Sequence, residues 1–360
     1  MNNTEKLMTE YRRQFYLTYH KQVLPLLLRF ENKRKNYLNI VWVLESAIIF
    51  LLLFVAGVWN NVFLELWPMF LIFAVILMIF IPYYINSKFV KELKSYCLKP
   101  ILDIFGAITW KKNAIDSVEL EQSELFGYFN RRSTDDGFEG EYKGVNFEMA
   151  ETHLAHESGS GKNRHYHVVF NGVVIKYESN KPIRAKTMIA TKGDMNTKAR
   201  NWGLFITPLL VLPQAILTGK MPIIIFGAVL SLLIIILMLR DLHKKNLKKQ
   251  LLHPIHLEDP AFEKKFNAYS TDEIEGRYLI TTAFMERFMN LQTAFGSKRA
   301  KCAFYNNSIM FAISTNKNLF EIGNLFTKLE NPKQMNEFFD EFASILLLVE
   351  HFKLDEKTGL

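Results

Sequence analysis

The stretch LNIVWVLESAIIFLLLFVAGV, residues 38–58, decides the organisation of this chain. It contains a single charge, Glu45, and as a helix it reaches about 30 Å, the thickness of a bilayer's hydrocarbon core. A second run, residues 66–85, has no charge and carries aromatic residues near its ends, as membrane helices do at the lipid–water interface. Together the two runs predict a transmembrane helical hairpin over residues 38–86.

A second pair of apolar runs lies further along the chain, at residues 202–217 and 221–239. The second arm is long enough to span a bilayer. The first arm is shorter and contains Pro208 and Pro213, which is typical either of a kinked short span or of a re-entrant segment. We expect a second hairpin over residues 202–239 and about four spans in the whole chain.

Lysine and arginine flank both hairpins and are nearly missing from the turns that connect their arms. Cytoplasmic loops of membrane proteins are enriched in these residues, so both termini and the segments 92–201 and 240–360 are predicted to be cytoplasmic. The net charge of +8 therefore lies mainly at span boundaries, which favours membrane lipids as partners and argues against nucleic acid. The two cysteines, Cys97 and Cys302, form no disulfide or metal-binding pattern, as expected in a reducing compartment.

The basic N-terminal segment, residues 1–37, carries apolar and aromatic residues at helical spacing: Tyr11, Phe15, Tyr19, Val23 and Leu27. This spacing predicts a juxtamembrane helix with one apolar side. Such a helix lies either on the membrane surface or in an interface between subunits. The alternative is a basic flank that only sets the topology.

The two large segments predict one α+β domain, an antiparallel sheet with helices, that continues across the second hairpin. Strands are expected where β-branched and aromatic residues partly alternate, between turn clusters such as residues 135–137 and 171–172. The predicted strands are 117–126, 138–147, 165–177, 186–190, 277–281, 300–305 and 308–314. The predicted helices are 260–266, 283–292 and an amphipathic C-terminal helix that begins with Asn331 as N-cap and Pro332 at its first position.

The run LEDPAFEKKF, residues 257–266, is followed by YSTDEIEGRYLIT at 269–281 and FMER at 284–287. These motifs resemble the bacterial membrane family of domain of unknown function 3137, over residues 121–354 with the second hairpin as an interruption. The resemblance implies the bacterial inner membrane as the location. It also implies a LemA-type membrane protein as a partner, and no established reaction.

Charged residues in the same motifs are the first candidates for chemistry: Asp259, Asp272, Glu275 and Arg277. Carboxylates are hard oxygen ligands and can serve as acid or base, but helix capping and surface ion pairing explain the same residues. Four histidines, at positions 153, 156, 165 and 167, surround a glycine-rich loop. They either bind zinc or copper or belong to a solvent-facing hairpin.

Glu45 is the one charge within the first predicted span, and an intramembrane carboxylate prompts a hypothesis of ion or proton handling. No catalytic constellation stands out, so we expect no enzyme and no cofactor. The leading hypothesis is a membrane scaffold or assembly protein that oligomerises or binds a membrane-protein partner. The alternatives are a transporter or channel using Glu45 and a cytoplasmic hydrolase using Asp272.

Overall fold

The computed structural model describes residues 3–58, 67–159, 164–179, 181–194, 252–294 and 299–352, with four isolated positions besides. The predicted second hairpin, 202–239, lies outside the described ranges. The first hairpin lies within them except for its connecting turn.

Three helices form the N-terminal part: α1 (Asn3–Thr18), α2 (Leu24–Val58) and α3 (Trp67–Leu102). A π-helical turn, Tyr19–Val23, joins α1 to α2. Among the described residues, two helices are long and apolar enough to cross a membrane by length and composition, and they contain most of the two predicted arms of the first hairpin. Both helices also extend well beyond their apolar runs, α2 toward the N-terminus and α3 toward the C-terminus. No linker therefore separates each apolar run from the helical segment beside it.

In the part of the chain that the structure describes, the sheet has nine antiparallel strands in the order β1-β2-β3-β4-β9-β8-β5-β7-β6. Strands from both sides of residues 195–251 pair with one another, because β4 pairs with β9 and β5 pairs with both β7 and β8. The predicted α+β class and its continuation across that segment are therefore confirmed. The strands are β1 (Ile108–Trp110), β2 (Arg131–Tyr142), β3 (Val145–Ser158), β4 (His165–Glu178), β5 (Thr187–Thr191), β6 (His253–Ile255), β7 (Phe266–Ser270), β8 (Ala300–Tyr305) and β9 (Ser308–Ser314).

Six shorter helices accompany the sheet among the described residues: α4 (Ser117–Ser123), α5 (Pro260–Lys265), α6 (Glu273–Leu279), α7 (Thr282–Ala294), α8 (Lys333–Leu346) and α9 (Leu348–His351). Helices α5, α7 and α8 confirm the sequence predictions. The predicted start of α8 is one residue too early, because Pro332 and not Asn331 is the N-cap and the helix begins at Lys333; the Asn331 side chain accepts a hydrogen bond from the Lys333 amide at 3.0 Å.

Two predicted strands, 117–126 and 277–281, are wrong, because α4 and α6 occupy most of these segments. An aspartate caps each helix: the Asp116 carboxylate accepts a hydrogen bond from the amide of Ser117, and that of Asp272 accepts from Ile274 and Glu275. Local capping therefore outweighs the partial alternation of apolar residues that suggested strands.

The predicted turn at residues 135–137 is also wrong, because these residues lie inside β2. Asp136 is buried there, and its carboxylate accepts a hydrogen bond from the Trp110 indole at 2.8 Å. The strand turns instead at Lys143 and Gly144, whose φ angles of 52° and 77° are both positive. Positive φ at both central residues is typical of the type I′ loop that joins hairpin strands.

The predicted turn at Asn171 and Gly172 lies inside β4. A Cβ atom on Gly172 would collide with the backbone of Ile313 and Thr315. The glycine therefore marks a close approach between β4 and β9, and its φ of 152° also favours glycine.

The chain divides into two compact units, and both draw on residues from before and after the segment 195–251. The first comprises Met1–Lys112, Asp136–Asn146 and Lys317–His351. The second comprises Asn113–Asp135, Phe147–Asn316 and Phe352–Leu360. Apolar residues from α4, β3, β4, β5, β8 and β9 form a core cluster in the second unit: Leu120, Leu154, Val174, Met188, Ala303 and Met310 among them.

In the first unit, the apolar side of α1 is buried within the chain. Phe15, Tyr19, Val23 and Leu27 are all nearly inaccessible, and the Phe15 ring stacks on Phe339 of α8 with ring centroids 4.5 Å apart. The expectation that this stripe lies on the membrane surface or between subunits is therefore wrong. Phe339 of α8 packs on Phe15, and α3 contacts the π-helical turn that carries Tyr19 and Val23.

Candidate functional site

The exposure of side chains changes sharply along α2 and α3. In the apolar runs most large apolar side chains are exposed; Phe50, for example, is 71% exposed. Near the other end of the same helices the pattern inverts, since Phe30, Phe89 and Leu93 are buried. Three charged residues are buried with them: Glu31, Arg34 and Lys94. We call this buried part, residues 24–37 and 86–102, the base of the hairpin.

Glu31 and Arg34 form a two-pronged ion pair in the base of the hairpin. The Arg34 guanidinium donates from Nε to Oε2 of Glu31 at 2.8 Å and from Nη2 to Oε1 at 2.6 Å. Both side chains also hold backbone of residues 319–329, which we call the clamp loop. Glu31 accepts from the Leu329 amide at 3.1 Å, and Arg34 donates to the Leu325 carbonyl at 3.0 Å.

These contacts fix the charge of Glu31. The hydrogen bond from Arg34 lowers the pKa of Glu31 and outweighs burial, which raises it, while the Leu329 amide and the Arg34 charge add to the lowering. Glu31 is therefore ionised at neutral pH and neutralises the buried guanidinium. A buried charge without such a partner would be strongly destabilising.

Lys94 of α3 is the second buried cation of the base, with its side chain only 3% exposed. Its ammonium pairs with Asp136 of β2 and, at 3.2 Å, with Glu321 of the clamp loop. Burial lowers the pKa of Lys94, but attraction to Asp136 and Glu321 outweighs it, so the pKa lies above its ordinary value. One lysine thus joins a helix, a strand and the clamp loop.

Further contacts hold the clamp loop in a single conformation. The Asn86 side chain of α3 accepts a hydrogen bond from the Leu325 amide at 2.9 Å. Gly323 has a φ of 145°, and a Cβ atom there would approach the Leu329 side chain to 2.5 Å. The loop therefore fits closely between its own turns and the base of the hairpin.

An aromatic cluster packs beside these ion pairs in the same unit. Phe105 lies 5.8 Å from Phe339 and 5.5 Å from Phe342, and Phe138 lies 4.9 Å from Phe342, measured between ring centroids. Phe320 of the clamp loop packs edge-on against Phe138 at 5.2 Å. Aromatic packing and buried ion pairs together fasten α2 and α3 to the folded part of this unit.

The charged groups and the thiol in the base of the hairpin are suited to holding the helices in position and not to catalysis. The Glu31 and Asp136 carboxylates already hold buried cations, and Cys97 is buried with its pKa raised to about 12 by burial. A thiol with a raised pKa is a poor nucleophile at neutral pH. The arrangement joins α2 and α3 to the clamp loop.

The sequence-predicted residues of the 257–287 motifs are held by local structural contacts. Asp259 caps α5 by accepting hydrogen bonds from Ala261 and Phe262, and Asp272 caps α6. Glu275 accepts from the Arg184 amide at 2.7 Å. Arg277 pairs with Glu273 at 2.7 Å, one helical turn away. Asp259 and Asp272 thus act as helix caps and Arg277 forms a surface ion pair, whereas Glu275 binds a backbone amide.

Arg277 also lines a cleft of about 250 Å³ in the second unit. His256, Glu258, Thr281 and Met285 lie around the same cleft, whereas Asp272 and Glu275 are not among its lining residues. The structure therefore does not gather the predicted acidic residues at one cavity.

Glu45 is half-buried on α2, one turn after the buried Val41. The residues missed by sequence reasoning are Glu31, Arg34, Lys94 and Asp136. One signal was present for Lys94, since it sits among Leu93, Cys97 and Leu98 on an apolar helical stripe, where a lysine must find a buried partner.

Fold and site define a class of protein: an antiparallel α+β fold built onto a helical hairpin that is long and apolar enough to cross a membrane. Residues 168–354 match the family described as Protein of unknown function (DUF3137), and the chain belongs to this family. The match and the sequence resemblance both end at residue 354. The match begins at residue 168, whereas the resemblance begins at residue 121. No curated protein and no solved structure matches the chain.

Proposed function

We propose that this protein is a multi-pass membrane scaffold, which assembles through its membrane helices with further copies of itself or with a membrane-protein partner. The observation that carries the proposal is the contrast within α2 and α3. Their apolar runs expose large side chains, while their base is fastened to the fold by buried ion pairs. A contact made in the bilayer would therefore fix the orientation of the attached domain.

The distribution of exposed apolar residues limits which part of the chain can form the assembly contact. The apolar sides of α1 and α8 are buried within the chain, where Phe15 stacks on Phe339, and they offer little to a partner. Among the described residues, most exposed large apolar side chains lie on α2 and α3, and helices associate in membranes through close packing of such faces. The assembly contact in this proposal is therefore intramembrane.

The proposed topology follows from the basic residues. Lys33 and Lys35 precede the first apolar run and Lys88 and Lys91 follow the second, which favours a cytoplasmic domain in the inner membrane. With the second apolar pair, 202–239, the chain would have four spans and both termini in the cytoplasm. Exposed lysines beside the spans would then face anionic lipid headgroups.

The first test is the mass of the gently extracted particle, measured by native mass spectrometry with electron microscopy and identification of copurifying proteins. A defined homomer, or a stoichiometric membrane protein such as one of LemA type, is expected. A monomer that copurifies with no stoichiometric protein would contradict the proposal.

The second test locates the contact by cysteine crosslinking in native membranes. Cys97 and Cys302 are both buried, so the chain supplies a silent background for new cysteines. We expect Leu53→Cys, Phe50→Cys or their neighbours on one helical face to crosslink. Tyr96→Cys, exposed on α3 but within the base, is the matched control and should not crosslink.

The transporter and hydrolase alternatives have their own discriminating variants. Glu45→Gln leaves assembly intact and abolishes ion flux only if the transporter alternative holds. Asp272→Ala removes the cap of α6, which costs about 1 kcal/mol of stability. It would abolish a hydrolytic activity only if that carboxylate acts in the reaction, and Asp272→Asn, which can still cap, separates the two effects.

A further inference from the structure

The hairpin of β3 and β4 carries three histidines on one face near its tip. In the antiparallel register, His156 of β3 stands directly opposite His167 of β4, and Ser158 stands opposite His165. Residues opposite one another point to the same side of a sheet, and so do residues two apart on one strand. His156, His165 and His167 therefore share a face.

The register irregularity of this hairpin lies between Leu154 and Ala155, outside the stretch that carries the three histidines. The alternation of sides is therefore unbroken from residue 156 to 158 and from 165 to 167. The Asn130 side chain supports this stretch, because it accepts a hydrogen bond from the Glu157 amide at 2.8 Å and donates to the Glu157 carbonyl at 2.7 Å.

We propose that His156, His165 and His167 form a binding site for a divalent transition-metal ion of the zinc class. Side chains opposite one another in a sheet have Cβ atoms about 5 Å apart, and diagonal neighbours stand about 7–8 Å apart, which imidazoles can bridge. Three histidines with one position left to water is an established zinc arrangement. Imidazole also suits copper and nickel, so the donor set defines a class of ions and not a single metal.

The opposite face of the hairpin provides a contrast. His153 is held there by two hydrogen bonds, from its Nδ1 to Asn171 Oδ1 at 3.1 Å and from its Nε2 to the Tyr166 hydroxyl at 2.6 Å. Both of its ring nitrogens are therefore engaged. His153 is similar in sequence context to the other three, yet it belongs to a structural network and not to the proposed site.

The cations near the tip are neutralised on that same opposite face. Arg131 and Arg164 both pair with Glu157, at 2.6 Å and 3.2 Å. Alternation places Glu157 on the side away from His156. These guanidinium groups therefore add little repulsion to a metal ion on the histidine face.

Access and adjustment also favour the site. His165 and His167 are exposed, whereas His156 is half-buried and its ring packs edge-on against Tyr128, with centroids 5.2 Å apart. Coordination requires the His156 side chain to rotate away from Tyr128 toward the two histidines of β4. The ligand atoms of the three histidines do not meet in the conformation described, and exchange between staggered side-chain rotamers is the adjustment that the proposal requires.

The experiment uses the full chain in detergent, purified through an affinity tag that contains no histidine and stripped of metal with a chelator. Zn²⁺ is titrated by calorimetry, and Co²⁺ is added as a spectroscopic probe whose visible absorption reports tetrahedral coordination. We expect one ion per chain. Each of His156→Gln, His165→Gln and His167→Gln should weaken binding by at least about tenfold, since each removes a ligand.

His153→Gln is the matched control, and it should leave the affinity for Zn²⁺ unchanged. Thermal unfolding of every variant without metal establishes that the fold is retained. The proposal is overturned if no stoichiometric binding occurs. It is also overturned if His153→Gln weakens binding as much as the other variants, or if removal of any one of the three histidines has no effect. Neither result depends on whether the protein is a scaffold.

Discussion

The apolar halves of α2 and α3, which contain the apolar runs 38–58 and 66–85, differ from the base of the same helices in which side chains are exposed and which are buried. In the base, Glu31, Arg34 and Lys94 are buried and their charges are paired. In the apolar halves, Phe50 and Leu53 face outward. Apolar side chains outside and charges inside reverse what water favours for a soluble helix. Under the proposed function, a lipid environment around the apolar halves would account for the first, and a packed fold around the base accounts for the second.

The comparison also explains why the charges are retained. A buried ion pair often adds little to stability compared with well-packed apolar residues, because desolvation offsets the attraction. Any alternative packing that leaves one of the two charges buried without its partner is, however, strongly destabilised. The pairs in the base therefore specify one docking of α2 and α3 on the clamp loop, whereas the apolar halves are free to face any apolar partner.

The largest effect is expected for Lys94→Ala in the base. It leaves Asp136 buried without its cation, and breaking a buried pair in this way costs about 3–5 kcal/mol. Thermal unfolding in detergent should show a large fall in the midpoint. Lys91→Ala, an exposed lysine three residues earlier on α3, is the control and should change the midpoint little. Equal effects would mean that the buried pairs do not hold the base.

The second-largest effect is expected for Phe50→Arg, and it tests whether the apolar halves face lipid. Phe50→Arg places a charge near the middle of the first run, where the cost of membrane insertion is about 2.5–3.5 kcal/mol. We expect less protein to resist alkaline extraction from membranes. Tyr96→Arg changes an equally exposed aromatic residue in the base and should be tolerated. If both variants insert normally, the apolar half does not face lipid.

A smaller effect, with a definite pH dependence, is expected for Glu31→Gln. The substitution weakens a charge-assisted contact to Arg34 but can keep the bond from the Leu329 amide, so the cost is about 1.5–3 kcal/mol at neutral pH. Because the folded state lowers the pKa of Glu31, its contribution is complete above the unfolded pKa of about 4.3 and is lost as pH falls below it.

Thermal unfolding from pH 7 to pH 3 measures this difference between wild type and Glu31→Gln. The difference in midpoint should stay constant down to about pH 5 and shrink below about 4.3, as the wild-type carboxylate takes up a proton. A difference that is the same at pH 7 and pH 3 would mean that the charge of Glu31 contributes nothing.

The smallest effect is expected for Glu45→Gln in the apolar half. Glu45 is half-buried and belongs to no ion pair with another described residue, so insertion, assembly and stability should all stay close to wild type. Flux measurements in reconstituted vesicles complete the test. An ion flux that the wild type supports and the variant lacks would favour the transporter over the scaffold.

Several elements were predictable because their signals are local and strong. The runs 38–58, with Glu45 as its single charge, and 66–85, which has none, are long enough to cross a bilayer, and β8 and β9 have the bounds predicted for them. The short helices α4 and α6 were mistaken for strands because seven residues carry too little periodicity to outweigh composition. Asp136 was mistaken for a turn residue because its partner Lys94 lies 42 positions earlier.

The histidines also show that the sequence does not reveal which residues are brought together by strand pairing. Four imidazoles near a glycine-rich loop are visible in the sequence, but their division into a group of three and a separate His153 depends on the pairing of β3 with β4. A shift of one position would move each side chain of a strand to the other face.

By itself the sequence determined the apolar runs, the α+β class and the amphipathic final helix, because hydrophobic length and periodicity act between near neighbours in the chain. Only the tertiary structure decided that Phe15 of α1 packs on α8, that Glu31 and Lys94 hold the clamp loop, and that three histidines share one face. These features join residues far apart in sequence. Burial and strand register, which set their partners, exist only once the chain has folded.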